Sequence, residues 1–225
     1  MIKKNREKLA SLLLAVLLGS SLFVSGCQSG TQAGSISINK APLDLKTLYF
    51  EDKPELEHHR KDMNYDAFTQ WFFHCEVDLR TKDIKREDTI GAASVTLAVT
   101  GVEAKLSCPV EMCISKKTEN AVIEHERGHV DICRRFYAMS EGAVQKAGEA
   151  VMAKEFYGMG ATPEAARKMA LDIAYQMLGN MYQQSITLPC EATSEKFDQL
   201  SLRYLGDTRK PPKVLVDMAM REASF

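Results

Sequence analysis

Phe73-His74-Cys75-Glu76-Val77-Asp78-Leu79 alternates without a break, with Phe73, Cys75, Val77 and Leu79 on one face and His74, Glu76 and Asp78 on the other. A period of two predicts a half-buried β-strand. Downstream, beyond a polar loop, Val95, Leu97 and Val99 alternate again; the phase slips at Thr100-Gly101 and resumes with Val102, Ala104 and Leu106. Thr-Gly is a weak hairpin signal, so the slip reads as a bulge in one long strand. Upstream, Leu45–Glu51 has the makings of a first strand, and residues 52–64 are strongly charged. After Cys108-Pro109 the period becomes helical. Residues 118 to about 157 lack proline, Gly158-Met159-Gly160 stops the run, and Thr162-Pro163-Glu164 restarts it as a cap with proline at the first helical position. That second helix runs to about Gln184, Leu188-Pro189 interrupts it, and a short third helix covers roughly 191–204. Strands first and helices second predict an α+β fold, a small and mostly antiparallel N-terminal sheet followed by a helical hairpin.

The ends of the chain read differently from its middle. Lys3, Lys4, Arg6 and Lys8 precede an almost unbroken apolar run, Leu9 to Val24, which ends in Ser25-Gly26-Cys27. These parts have the order of a secretory signal, and the run is too short and one-sided for a stable membrane span. The Val-Ser-Gly-Cys ending resembles the lipobox of bacterial lipoproteins. That resemblance implies cleavage after residue 26 and acylation of Cys27, and the Gln28 next to it implies sorting to the outer membrane, facing the periplasm. The expected organisation is a signal peptide over 1–26, a lipidated tether over 27–44 and one domain over 45–225. The whole chain has 29 basic and 30 acidic residues. Removing four basic residues and Glu7 with the leader leaves 25 and 29, a net charge of −4. A mildly acidic body has no electrostatic grip on nucleic acid or anionic lipid, so membrane attachment falls to the acyl chains on Cys27. The composition, 45% apolar and 26% charged, excludes a disordered chain.

The chemistry is concentrated in His125-Glu126-Arg127-Gly128-His129. On a helix, positions i and i+4 share a face, so two imidazoles can converge on one metal ion. A glutamate at i+1 stands where it can take a proton from water in the metal's open position. Val122, His125, His129, Ile132, Cys133 and Phe136 follow three-and-four spacing, which places both histidines on the core-facing stripe. The expected assignment is Zn2+ held by His125 and His129, with Glu126 as general base. This H-E-x-x-H string resembles the zincin metallopeptidases. The longer string Glu124 to Ile132 is similar to an uncharacterised bacterial family of secreted, zinc-dependent-protease-like proteins, whose members join a Trp-containing strand region to a helix reading H-E-x-x-H-x-D-I. Trp71 matches the first part. Phe197-Asp198-Gln199-Leu200-Ser201 partly echoes a downstream Tyr-Asp-x-x-Thr-x-His-Gly, but Arg203-Tyr204 stand where that family has His-Gly. The resemblance implies a metalloprotease acting on peptide or protein substrates in the cell envelope. Beside it stand a non-catalytic envelope lipoprotein with a degenerate site and an amidase acting on cell-wall peptide bonds.

A catalytic zinc ion usually has three protein ligands. Ile132 and Arg135 occupy the positions where a third histidine could follow, and no histidine comes after His129. Glu149 has the sequence distance of a thermolysin-like third ligand, but on one continuous helix it lies about 36 Å along the axis from His125. A chain folding back about Gly160 regains the level of residue 127 near residue 193. This brings the short third helix, with Glu191, Glu195 and Asp198, beside the zinc helix. Glu195, Asp198, Glu149 and His74 are the candidate third ligands. Upstream, His58 and His59 are further possibilities, and Arg203 or Tyr204 could stabilise an oxyanion by position alone. The same count puts Cys190 near the level of Cys133, which makes these two the preferred disulfide among the five cysteines other than Cys27.

Overall fold

The computed structural model describes residues 34–51, 66–207 and 209–223. The leader, Cys27 and the His58-His59 pair lie outside the described residues. The alternating segments are β4 (His74–Thr89) and β5 (Ala92–Ser107), an antiparallel hairpin turned at Ile90-Gly91, where Gly91 takes φ 80°. Only glycine adopts that conformation without steric cost. The phase slip is a bulge as expected: Arg80 pairs with Gly101 and Thr81 with Val99, which leaves Thr100 unpaired in the ladder. The extra residue lets Val95, Leu97 and Val99 before it, and Val102, Ala104 and Leu106 after it, all turn to the same buried face.

Two strands share the other edge of β5. β1 (Ser35–Lys40) runs parallel to residues 101–106, and a strand from further along the chain, Glu155–Gly160, runs antiparallel to residues 93–98. A second sheet has the order β2 (Asp44–Phe50), β6 (Pro109–Ser115), β3 (Ala67–Trp71), with β2 parallel and β3 antiparallel to β6. The fold is therefore α+β, with two mixed sheets in place of the single sheet expected. β1 also corrects the tether, since Ser35–Lys40, within the span expected to be flexible, is a strand of the first sheet. Its Ser-Ile-Ser-Ile pattern turns Ile36 and Ile38 toward the core and leaves the serines and Asn39 outside.

α1 (Asn120–Met152) is a single helix of 33 residues that crosses both sheets. It stops short of the expected 157, because the chain from Glu155 becomes the strand β7 (Glu155–Gly160). The glycines of β7 serve close packing: a Cβ on Gly158 would lie 2.1 Å from the Ala166 carbonyl oxygen. α2 (Pro163–Tyr182) therefore lies directly on the strand through the small stripe Ala166, Ala170 and Ala174. Its start is as expected, with Thr162 accepting a hydrogen bond from the Ala165 backbone N–H. The expected break at Leu188-Pro189 does not occur. A π-helical turn over Gln183–Thr187 joins α2 to α3 (Leu188–Arg203), and Pro189 falls in the first turn of α3. α4 (Pro212–Glu222) returns across α1 and α3, tied to α1 by Arg135, which bridges Asp131 and Asp217. No helix among the described residues is long and apolar enough to cross a membrane.

Candidate metal centre

The centre is built where α3 runs antiparallel to the first turns of α1. The register is regular: His129 meets Ser194, His125 meets Asp198, and Cys133 interacts with Cys190. Each pair of residue numbers sums to 323, and the four-residue steps on both sides keep the contacts on one face of each helix. Close approach needs Gly128. A Cβ there would stand 2.4 Å from Cζ of Phe197, whose fully buried ring stacks on His125 at 4.8 Å and meets His129 edge-on at 5.1 Å.

Three ligand atoms converge at this junction. Asp198 Oδ1 lies 3.1 Å from His125 Nε2 and 3.0 Å from His129 Nε2, and the two Nε2 atoms are 3.1 Å apart. Hydrogen bonding cannot satisfy all three sides. If both Nε2 atoms carry protons, two N–H groups face each other; if one does not, its lone pair faces the carboxylate. A cation removes this conflict. Zinc bound at about 2.0–2.1 Å in tetrahedral geometry separates its ligand atoms by about 3.3 Å, close to the spacing here. His129 Nδ1, 2.5 Å from Ser194 Oγ, can donate there and so present an Nε2 lone pair to the triad, the outer hydrogen bond that metal-ligating histidines commonly make. Burial raises the Asp198 carboxyl, but the hydrogen bonds and charge of His125 and His129 outweigh it and take it down to about 2. The side chains are 28% exposed for His125, 10% for His129 and 52% for Asp198, so the triad is backed by the core and open to solvent on the α3 side.

Glu126 is buried on the adjoining face of α1, under the second sheet. Thr69 on β3 donates to its Oε2 at 2.7 Å, and burial together with the charges of Glu111 and Glu126 pushes the Cys113 thiol on β6 up to about 11. Trp71, two residues beyond Thr69, lies nearly parallel to the His129 ring at 6.3 Å. β3 is the edge of its sheet among the described residues, beside the centre.

Of the four candidate third ligands, the fold brings Asp198 to the histidines. Glu149 lies far along the unbroken α1, bonded to Gln145, and His74 stacks on Phe72 at the start of β4. Glu195 faces solvent on α3 and its charge raises the Glu191 carboxyl, after burial, which raises it most. All five cysteines of the described residues are free thiols, so the expected Cys133–Cys190 disulfide is not formed; Cys133 instead has its short sulfur contact with Cys108, at 3.5 Å. Thr69, Ser194 and the close approach at Gly128 had no sequence signal of their own, since each matters only through a partner on a distant element.

No family model matches the chain, and comparison with curated proteins and with solved structures finds no similar one.

Proposed function

We propose that the protein is a zinc-dependent metallopeptidase of the cell envelope, lipid-anchored through Cys27, in which His125, His129 and Asp198 hold the metal and Glu126 is the general base. The observation that carries this reading is the convergence of Asp198 Oδ1 on α3 with the Nε2 atoms of His125 and His129 on α1, at 3.0–3.1 Å from one another, where α1 also bears Glu126. Bound zinc supplies Lewis acidity and lowers the pKa of water in its open position to about 7. The protein's own groups do the rest. Glu126 takes the proton of the attacking water and returns it to the leaving amine, held in orientation by the Thr69 hydroxyl. Ser194 fixes the His129 ring, and β3, the edge strand of its sheet among the described residues, would offer backbone groups to an extended peptide. The resemblance of Glu124 to Ile132 to the zinc-dependent-protease-like family supports the same reaction class.

The test is zinc content and hydrolysis of a peptide library by the purified full chain. Glu126→Gln should keep one zinc per chain and lose hydrolysis, whereas His129→Ala and Asp198→Ala should lose both. A wild-type protein with no stoichiometric metal would overturn the assignment. Stoichiometric zinc with no hydrolysis, in wild type and Glu126→Gln alike, would assign the centre a structural role.

A further inference from the structure

Away from the triad, the buried nucleophiles of the core gather around one residue. Cys108, Cys133 and Cys190 are all within 1% of full burial in the same core. Cys108 Sγ stands 3.5 Å from Cys133 Sγ, and Cys190 also interacts with the Cys133 thiol. Cys108 occupies the junction between β5 and β6, directly before Pro109. Cys133 is one helical turn beyond His129 on α1, and Cys190 is one turn before Ser194 on α3. One thiol thus has two neighbours and can bond to only one.

We infer that Cys108 and Cys133 form a disulfide in the oxidised protein, and that Cys190 remains a buried thiol. The short contact lies between Cys108 and Cys133, and closing 3.5 Å to a bond of about 2.05 Å is a movement on the scale of side-chain torsions. The bond closes the segment containing β6 and the first turns of α1, so His125, Glu126 and His129 all lie inside one covalent loop. Cys133–Cys190 would instead link the two helices that carry the triad. With Cys190 free, α3 and its Asp198 are held against α1 without a covalent link, by packing and by the contacts of His125 and His129 with Asp198 and Ser194.

The chemistry balances with a small-molecule disulfide as oxidant. One protein thiolate attacks glutathione disulfide and releases one glutathione thiol. The second attacks the protein-side sulfur of the mixed disulfide, forms the Sγ–Sγ bond and releases the other. The two cysteines give up two electrons and two protons, and the glutathione disulfide is reduced to two thiols. In the folded protein the contact with Cys133 and then burial raise the Cys108 thiol. For Cys133 the contact with Cys108 lowers it, but Cys190 and burial outweigh that and leave it raised. Buried protonated thiols exchange slowly, so the bond forms as α1 docks and is protected afterwards.

The test uses the full chain in detergent, reduced and unfolded, then refolded in a glutathione redox buffer and alkylated in denaturant without reduction. Peptide mapping with a cut after Glu111 separates Cys108 from Cys113. The expected map links the Cys108 and Cys133 peptides and shows Cys190 alkylated. Reduction should lower the folding equilibrium constant on the order of a hundredfold for a loop of this length. That loss should persist in Cys190→Ser and vanish in Cys108→Ser. A Cys133–Cys190 peptide in wild type, or alkylation of all three cysteines, overturns the inference. The outcome is separable from the metal reading, because His125→Ala should leave the map unchanged.

Discussion

Replacing Gly128 with alanine adds one methyl group at the closest approach of α1 and α3. The new Cβ would lie 2.4, 2.8 and 3.2 Å from Cζ, Cε1 and Cε2 of Phe197. Ordinary carbon contacts begin at about 3.5 Å, so the ring must retreat by about 1 Å. It has no free space to enter, because Phe197 is fully buried and in ring contact with both histidines. The displacement passes to the backbone of α3, and the next residue is Asp198. Overpacking of this size costs about 1–3 kcal/mol, and alanine returns about 1 kcal/mol of helix propensity, so the net loss of stability is about 1 kcal/mol. The metal centre suffers more. A triad whose sides are 3.0–3.1 Å does not keep three ligands when one donor moves by about 1 Å. Zinc affinity should fall 10- to 100-fold, the range found when groups supporting metal ligands are lost.

Two measurements check this: the urea midpoint of the metal-free protein and zinc affinity by competition with a chromophoric chelator. The expected pattern is a small shift in midpoint and a large loss of affinity. Gly128→Ala combined with Phe197→Leu should recover part of that affinity, because leucine lacks the far ring atoms that meet the new methyl group. Zinc affinity within threefold of wild type in Gly128→Ala would mean that the methyl group is accommodated without moving Asp198, contrary to this expectation.

Thr69→Val keeps the shape of the side chain but removes the donor to Glu126. It should leave zinc stoichiometry at one, cut peptide hydrolysis at least tenfold and destabilise the fold by about 1.5–3 kcal/mol, as expected for a lost hydrogen bond to a buried charged group; calorimetry and a peptidase assay read the two effects. In the metal-free protein the Asp198 carboxyl is depressed to about 2, so its stabilising contribution is complete above its ordinary range near 3.8 and is lost as pH falls through about 2. The stability gap between wild type and Asp198→Asn should therefore be open at pH 5 and closed at pH 2 in chemical denaturation series. Cys27→Ser should abolish incorporation of labelled palmitate and release the protein from membranes.

The parts of the fold that could be read from the chain are those whose pattern is local. The β4–β5 alternation, its bulge at Thr100 and the Thr162-Pro163 start of α2 each show their physics within a few residues. β7 was hidden because its inward positions after Phe156 are Gly158 and Gly160, small for the sake of α2 and not apolar. β1 was hidden because its serines resemble a linker, although Ile36 and Ile38 alternate correctly; its strand character comes from the open edge of β5, which is far away in sequence. The two histidines and Glu126 were legible for the same reason as the bulge: one turn of helix sets their geometry. Asp198 was legible only as one member of an acidic group. Choosing it over Glu195 needs the register of two helices separated by a strand, a turn and a whole helix. Counting back from Gly160 places that register within three residues of the observed one.

Those three residues show how the centre is assembled. A count that treats α2 and α3 as ordinary helices about a simple turn ignores β7 and the π-helical turn at Gln183–Thr187. A π turn acts as a one-residue insertion, and each residue inserted in a helix rotates the remainder of that helix by about 100°. The face of α3 that meets α1 carries Cys190, Ser194, Phe197 and Asp198, a spacing of four, three and one that fits a single helical stripe. Rotating α3 by about 100° would turn that stripe away from α1 and bring Asp198 out of reach of both histidines. The same turn lets Pro189 enter a continuous helical run, so proline, π turn and the placement of Asp198 belong together. The place of Asp198 beside both histidines is therefore set by the path of the chain between the two helices as much as by the identity of residue 198.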